Sequence, residues 1–150
     1  MLKNNLLAHR GMWKSTKTKN SKEALFNALD HGYGLETDLR DLNGTLVVSH
    51  DPASSVNSFP LEVLFDYYCK IKSHSILALN IKSDGLQTLL SECIARTGIN
   101  IDNLFVFDMS VPDLYQYVQT NIPRYTRISD LEVQPILIHD CQGIWLDDFN

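Results

Sequence analysis

A chain of 150 residues, 44% hydrophobic and 21% charged, has ordinary globular composition and is long enough to bury about two-thirds of the surface its unfolded form exposes. Its net charge of -5 comes from both signs mixed along the chain, apart from a lysine-rich run between Lys14 and Lys22, which argues against a nucleic-acid or polybasic membrane surface. Cys69, Cys93 and Cys141 are scattered and lack CxxC spacing, so neither a disulfide framework nor a zinc site is indicated. With no signal-like start and no apolar run near the roughly 20 residues of a bilayer span, the expectation is a single cytoplasmic domain of residues 1–150 without a transmembrane segment.

Short apolar runs alternate with longer amphipathic ones, the pattern of an α/β fold with a largely parallel sheet. The first predicted strand, 5–9, runs from Leu6-Leu7-Ala8 into His9-Arg10-Gly11, where glycine permits a sharp turn. A helix follows, with Asn20 as its expected cap, Glu23 three residues on, an apolar stripe of Leu25, Ala28 and Leu29, and Gly32 as its stop. In the second strand, 33–39, the two-residue period puts Leu35, Thr37 and Leu39 on one face and Glu36 and Asp38 on the other. Two acids on one side form either a solvated face or a seat for a hard, oxygen-loving cation.

The third strand, 45–50, stops at His50-Asp51-Pro52, since proline cannot continue a strand interior. Only residues 40–44 connect it to the second, too few for a helical crossover. Either the chain runs back extended, or Asn43-Gly44 makes a hairpin. Further strands are expected at 75–82, 104–108, 124–128 and 143–147, with helices at 60–72, 84–96 and 111–120, and no clear pattern between Ile128 and Gly143. In the fourth strand Asn80 and Lys82 alternate against Leu77, Leu79 and Ile81. The C-terminal ends of strands share one rim in parallel α/β folds, so the ionisable residues that close these strands are brought to the place where ligands bind.

In order, His9-Arg10-Gly11, Lys19-Asn20-Ser21, Glu36-Thr37-Asp38, His50-Asp51 and Asn80-Ile81-Lys82 resemble the HRG, ENT-like, ExD, HD and ExK elements of the glycerophosphodiester phosphodiesterase family. The resemblance implies a TIM-type (β/α) barrel hydrolysing a small-molecule phosphodiester of the glycerophosphodiester kind. It assigns His9 and His50 as the acid-base pair and Arg10 and Lys82 as phosphate ligands. Glu36, Asp38 and Asn80 would hold one divalent cation, Mg²⁺ or Ca²⁺, with Asp51 as a further candidate ligand.

Three departures stand out. Asn80 replaces the family's glutamate and brings no charge, which implies weaker metal affinity or compensation from Asp51 or Asp108. Lys19 replaces the acid of the ENT-like segment. A full barrel takes about 250 residues, so seven strands with the eighth missing imply a truncated or reduced barrel, whose open edges a homo-oligomer could cover. Two alternatives follow: a catalytically impaired phosphate-ester-binding protein on the same barrel, or an assembly domain.

Overall fold

The computed structural model describes residues 6–150, so Asn5 of the first predicted strand lies outside the described residues. In chain order the elements are β1 (Leu7–His9), α1 (Lys22–Asp30), β2 (Gly34–Leu42), β3 (Thr45–Val48), β4 (Phe59–Pro60), α2 (Leu61–Lys70), β5 (Leu77–Ile81), α3 (Gln87–Thr97), β6 (Leu104–Phe107), α4 (Val111–Val118), β7 (Tyr125–Ile128) and β8 (Gly143–Leu146). All seven predicted strands are present, and β4 is an addition.

The sheet is organised around β2. β5 runs parallel along one edge of it, from Leu35 opposite Leu77 to Leu39 opposite Ile81. The other edge is shared. β1 pairs in parallel with the beginning of β2, placing His9 opposite Glu36, and β3 pairs antiparallel with its end, Leu39 opposite Val48. Asn43 and Gly44 carry φ of 51° and 77°, the two positive values a tight hairpin turn requires, so the connection through 40–44 is a hairpin.

From β5 the sheet continues in parallel to β6, whose Val106 bridges to Arg124 at the entry of β7, and β7 pairs in parallel with β8. Six parallel strands therefore form an arc with β3 and β4 as a side hairpin. Among the described residues β1 pairs only with β2 and β8 only with β7, and the arc does not close. The expected seven-strand barrel is corrected accordingly: the third predicted strand runs antiparallel and stands outside the arc.

The pleat divides this arc into two apolar layers. Leu35, Leu39, Leu77, Leu79, Leu104 and Val106 point outward against Leu25, Leu64, Phe65, Leu90 and Tyr117 of the helices. Ala78, Phe105 and Phe107 point inward with Leu7, Ile76, Tyr125 and Trp145. Phe105 stacks on Tyr125 with ring centres 3.8 Å apart, and Phe107 on Trp145 at 4.0 Å. Burial on both faces explains why β6, Leu-Phe-Val-Phe, is apolar at every position. The exception is β8, where Ile144 and Leu146 are 39% and 75% exposed on the outer face.

Two helix starts differ from expectation. Ser21, not Asn20, caps α1, its Oγ accepting from the Ala24 N–H at 3.2 Å, while Asn20 adopts a left-handed φ of 58°. α3 begins at Gln87, three residues late, because the chain turns through Gly85 at φ 85°, whose N–H donates to Asp113 Oδ1 at 2.8 Å. Among the described residues no helix is long and apolar enough to cross a membrane.

Gly11 shapes the turn after β1. It holds φ at +85°, and a Cβ there would lie 2.5 Å from the backbone carbon of Ala24 at the start of α1. Gly11→Ala is expected to cost about 3 kcal/mol, combining left-handed strain with overpacking. Gly44→Ala, at φ +77° with nothing within 4 Å, is expected to cost about 1 kcal/mol. Urea unfolding of both variants checks the difference; equal losses would contradict it.

Candidate active site

Asp38 sits at the centre of the rim and is wholly buried. Its Oδ2 accepts a 2.7 Å hydrogen bond from Asn20 Nδ2 and lies 2.8 Å from Arg10 Nε, while Oδ1 lies 3.7 Å from Lys82 Nζ. Burying a carboxylate costs several kcal/mol unless cations and donors compensate it, and these three groups do so from the end of β1, the entry of α1 and the end of β5. Asn20 also accepts from Thr37 Oγ1 at 2.8 Å. That pull from β2 explains why Asn20 does not cap the helix.

The network continues along the rim. Lys82 Nζ reaches Asp108 Oδ2 at 3.2 Å, and Arg127 pairs with both Asp108 and Glu132. Arg10 and Asp108, the residues after β1 and β6, hold φ of 57° and 68°. Left-handed backbone is uncommon in residues other than glycine and gathers where surrounding contacts over-determine it. At Arg10 the N–H donates to Glu36 O at 2.9 Å and the carbonyl accepts from Asn20 N at 3.0 Å.

Glu36 shares the inner face of β2 with Asp38 but receives less compensation. It is 3% exposed, and its Oε2 lies 3.7 Å from His9 Nε2. Burial, and next the charge of Asp38, push its pKa up to about 7, against the opposing effect of Arg10, Asn80 and Lys82. His9 is shifted the other way: burial of part of the ring, and then the Arg10 charge, lower its pKa below the ordinary value. A neutral imidazole able to accept a proton therefore stands beside Glu36.

Among the described residues five buried side-chain oxygens make no hydrogen bond, and three of them, Glu36 Oε2, Asp38 Oδ1 and Asn80 Oδ1, lie on this rim. Glu36 and Asp38 are alternate residues of β2, and Asn80 stands opposite Asp38 on β5. Buried polar atoms are nearly always satisfied, so three oxygens on adjacent strands that lack a hydrogen bond, with Lys82 and His9 no nearer than 3.7 Å, point to a ligand that supplies positive charge. Carboxylate and amide oxygens fit a hard divalent cation. Among the described residues no cage of three His, Cys, Asp or Glu side chains is assembled, because the third oxygen here belongs to an amide.

His50 and Asp51 form a second group, on the loop after β3. His50 is exposed, with Nδ1 2.9 Å from Asp51 Oδ1, and its carbonyl accepts from Arg40 Nε at 2.9 Å. The loop is tied to the first group by the Ser49 N–H, which donates to Asp38 O at 3.0 Å. Asp51 thus turns to His50, and Asp108 is occupied by Lys82 and Arg127. Arg10, His50 and Asp51 line a cleft of about 580 Å³ together with Lys17, Lys19, Lys22 and Phe59.

The fold therefore gathers His9, Arg10, Glu36, Asp38, Asn80 and Lys82, and sets His50 and Asp51 along the adjoining cleft. Sequence reasoning missed the role of Asn20 and missed Arg127. The inward alternation of Arg127 two residues after Tyr125 is the signal that could have found it.

No family model matches the chain, and no curated protein matches it. Its fold is similar to that of solved structures. One is a protein from Galdieria sulphuraria assigned as a glycerophosphodiester phosphodiesterase, with a TM-score of 0.74 and 14% identity over 94% of this chain and 74% of that one. Another is the glycerophosphodiester phosphodiesterase from Agrobacterium tumefaciens str. C58, with a TM-score of 0.71 and 16% identity over 94% and 75%. The likeness lies in the fold.

The raised pKa of Glu36 has a consequence for stability. Because the folded value of about 7 exceeds the unfolded 4.5, the folded state holds the proton more tightly. This contribution is complete below about 4.5 and is lost as pH rises through about 7, a loss of about 3 kcal/mol in divalent-free buffer. Urea unfolding across that window checks it, and Glu36→Gln is expected to flatten the slope.

Proposed function

We propose that the chain is a metal-dependent phosphodiester hydrolase acting on a small glycerophosphodiester-like substrate. The observation that carries the reading is the set of three buried oxygens without a hydrogen bond, Glu36 Oε2, Asp38 Oδ1 and Asn80 Oδ1, beside a histidine and two cations on one rim. The similarity in fold to two glycerophosphodiester phosphodiesterases supports the same reading. Glu36, Asp38 and Asn80 would hold a divalent cation, Mg²⁺ or Ca²⁺, which when bound supplies Lewis-acid stabilisation of phosphoryl oxygens.

The rim suits a phosphodiester electrostatically. Glu36, Asp38, Asp108 and Glu132 face Arg10, Lys82 and Arg127, and protonation of Glu36 brings the two signs into balance, three against three. Arg10 commits Nε to Asp38 while also lining the cleft, so it can hold a phosphoryl oxygen where rim and cleft meet, with Lys82 on the rim as the second cation. His9, with its lowered pKa, accepts the proton of the attacking hydroxyl. His50, held at Nδ1 by Asp51, presents Nε2 to the leaving alkoxide and donates the proton it needs.

Hydrolysis of glycerophosphocholine or bis-p-nitrophenyl phosphate with Mg²⁺ or Ca²⁺ is the direct test. His9→Ala and His50→Ala are each expected to lower kcat by about 10² to 10⁴; unchanged rates would overturn the assignment. A second readout needs no turnover. Divalent cation at a hundredfold excess over its Kd is expected to stabilise the fold by about 2.7 kcal/mol, seen as a higher Tm and abolished in Glu36→Gln. A binding protein on the same scaffold is favoured by Asn80, which brings no charge where an acid would hold the metal more strongly. Calorimetry showing phosphate-ester binding without hydrolysis would establish that reading instead.

A further inference from the structure

The cleft next to the rim is positive in a chain whose overall charge is -5. Lys17, Lys19 and Lys22 line it with Arg10, and Asp51 is the one carboxylate of its lining. Among the described residues none of the three lysines is ion-paired, in contrast to Arg10, Lys82, Arg96 and Arg127, each of which meets a carboxylate. Two of them are steered by aromatic rings: Lys19 Nζ lies 4.6 Å from the centre of the Trp13 ring, and Lys22 Nζ 5.3 Å from that of Phe59. Such contacts hold ammonium groups in place without neutralising them.

Arg10 belongs to both the rim and the cleft, and His50 stands in the cleft wall. In the proposed reaction His50 protonates the leaving alkoxide, so a phosphodiester gripped by Arg10 would extend its leaving alcohol into the cleft. We infer that the cleft receives a second anionic group on this alcohol, so that the preferred substrate is a phosphodiester whose leaving alcohol carries a further phosphomonoester. The inference rests on the reading of the rim as a phosphodiesterase site. A phosphomonoester carries close to two negative charges at neutral pH and suits ammonium point charges.

The test compares kcat/KM for glycerophosphoinositol 4-phosphate and glycerophosphoinositol. Lys19 also acts on His9, so the diagnostic variant is Lys17→Gln/Lys22→Gln, with Lys70→Gln/Lys72→Gln as a charge-matched control elsewhere on the surface. The wild-type protein is expected to favour the phosphorylated substrate. The first double variant is expected to lower that preference about tenfold, as two exposed ionic contacts near the upper end of their range imply, and the control to keep it. No preference in the wild-type protein, or equal loss in both variants, would overturn the cleft assignment. Trp13 fluorescence titrated with inositol 1,4-bisphosphate separates the two readings. Binding that is lost in Lys17→Gln/Lys22→Gln while neither diester is hydrolysed would sink the proposed hydrolysis and uphold the cleft. Binding indifferent to those substitutions would sink the cleft even where the diesters turn over.

Discussion

The neutralisation of Asp38 is the constraint around which the rim is arranged. An ionised carboxylate with no exposure is tolerated only when opposite charge and donors reach it, and here they arrive from three segments: Arg10 after β1, Asn20 before α1 and Lys82 after β5. To reach it, Arg10 adopts a left-handed backbone that costs about 1 to 2 kcal/mol. Lys82 then carries the network to Asp108, and Arg127 extends it to β7. One buried charge thus sets the path of the chain at the ends of four strands.

Glu36 shows what the same environment does to a neighbour that lacks those partners. The two acids share a face of β2, yet the cations converge on Asp38, while burial and the Asp38 charge drive Glu36 toward its neutral form. Carboxylates driven apart in this way commonly take different chemical roles. On the same inner face the stacked pairs Phe105–Tyr125 and Phe107–Trp145 form an apolar cluster.

Much of this was legible in the sequence because it rests on short-range periodicity. The two-residue alternation placed Glu36 and Asp38 together and Asn80 with Lys82, and the stops at Gly11 and Pro52 put His9 and His50 at strand ends. The direction of β3 was not legible, because residues 40–44 permit a hairpin or an extended return, and only pairing with the end of β2 decides between them. Asn20 was misread for a physical reason. An asparagine three residues before Glu23 satisfies the rule for a helix cap, but Ser21 performs that task equally well and releases Asn20 to Asp38. The left-handed conformations of Arg10 and Asp108 leave no trace in residue type.

The shared edge of β2 also orders the assembly of the site in time. The β2–β3 hairpin joins neighbours in sequence and belongs to the microsecond class of events, so the arm bearing His50 and Asp51 can form alone. The partners of Asp38 lie far along the chain: β2 meets β5 across about forty residues, and such pairing is slow because a long loop must close first. Until Lys82 and Arg10 arrive, Asp38 stays hydrated, since burying it uncompensated is unfavourable. Closure of the sheet around β2 and completion of the rim are therefore coupled, and a nascent chain that has not reached Lys82 can hold the arm bearing His50 and Asp51 without all the groups that surround Asp38.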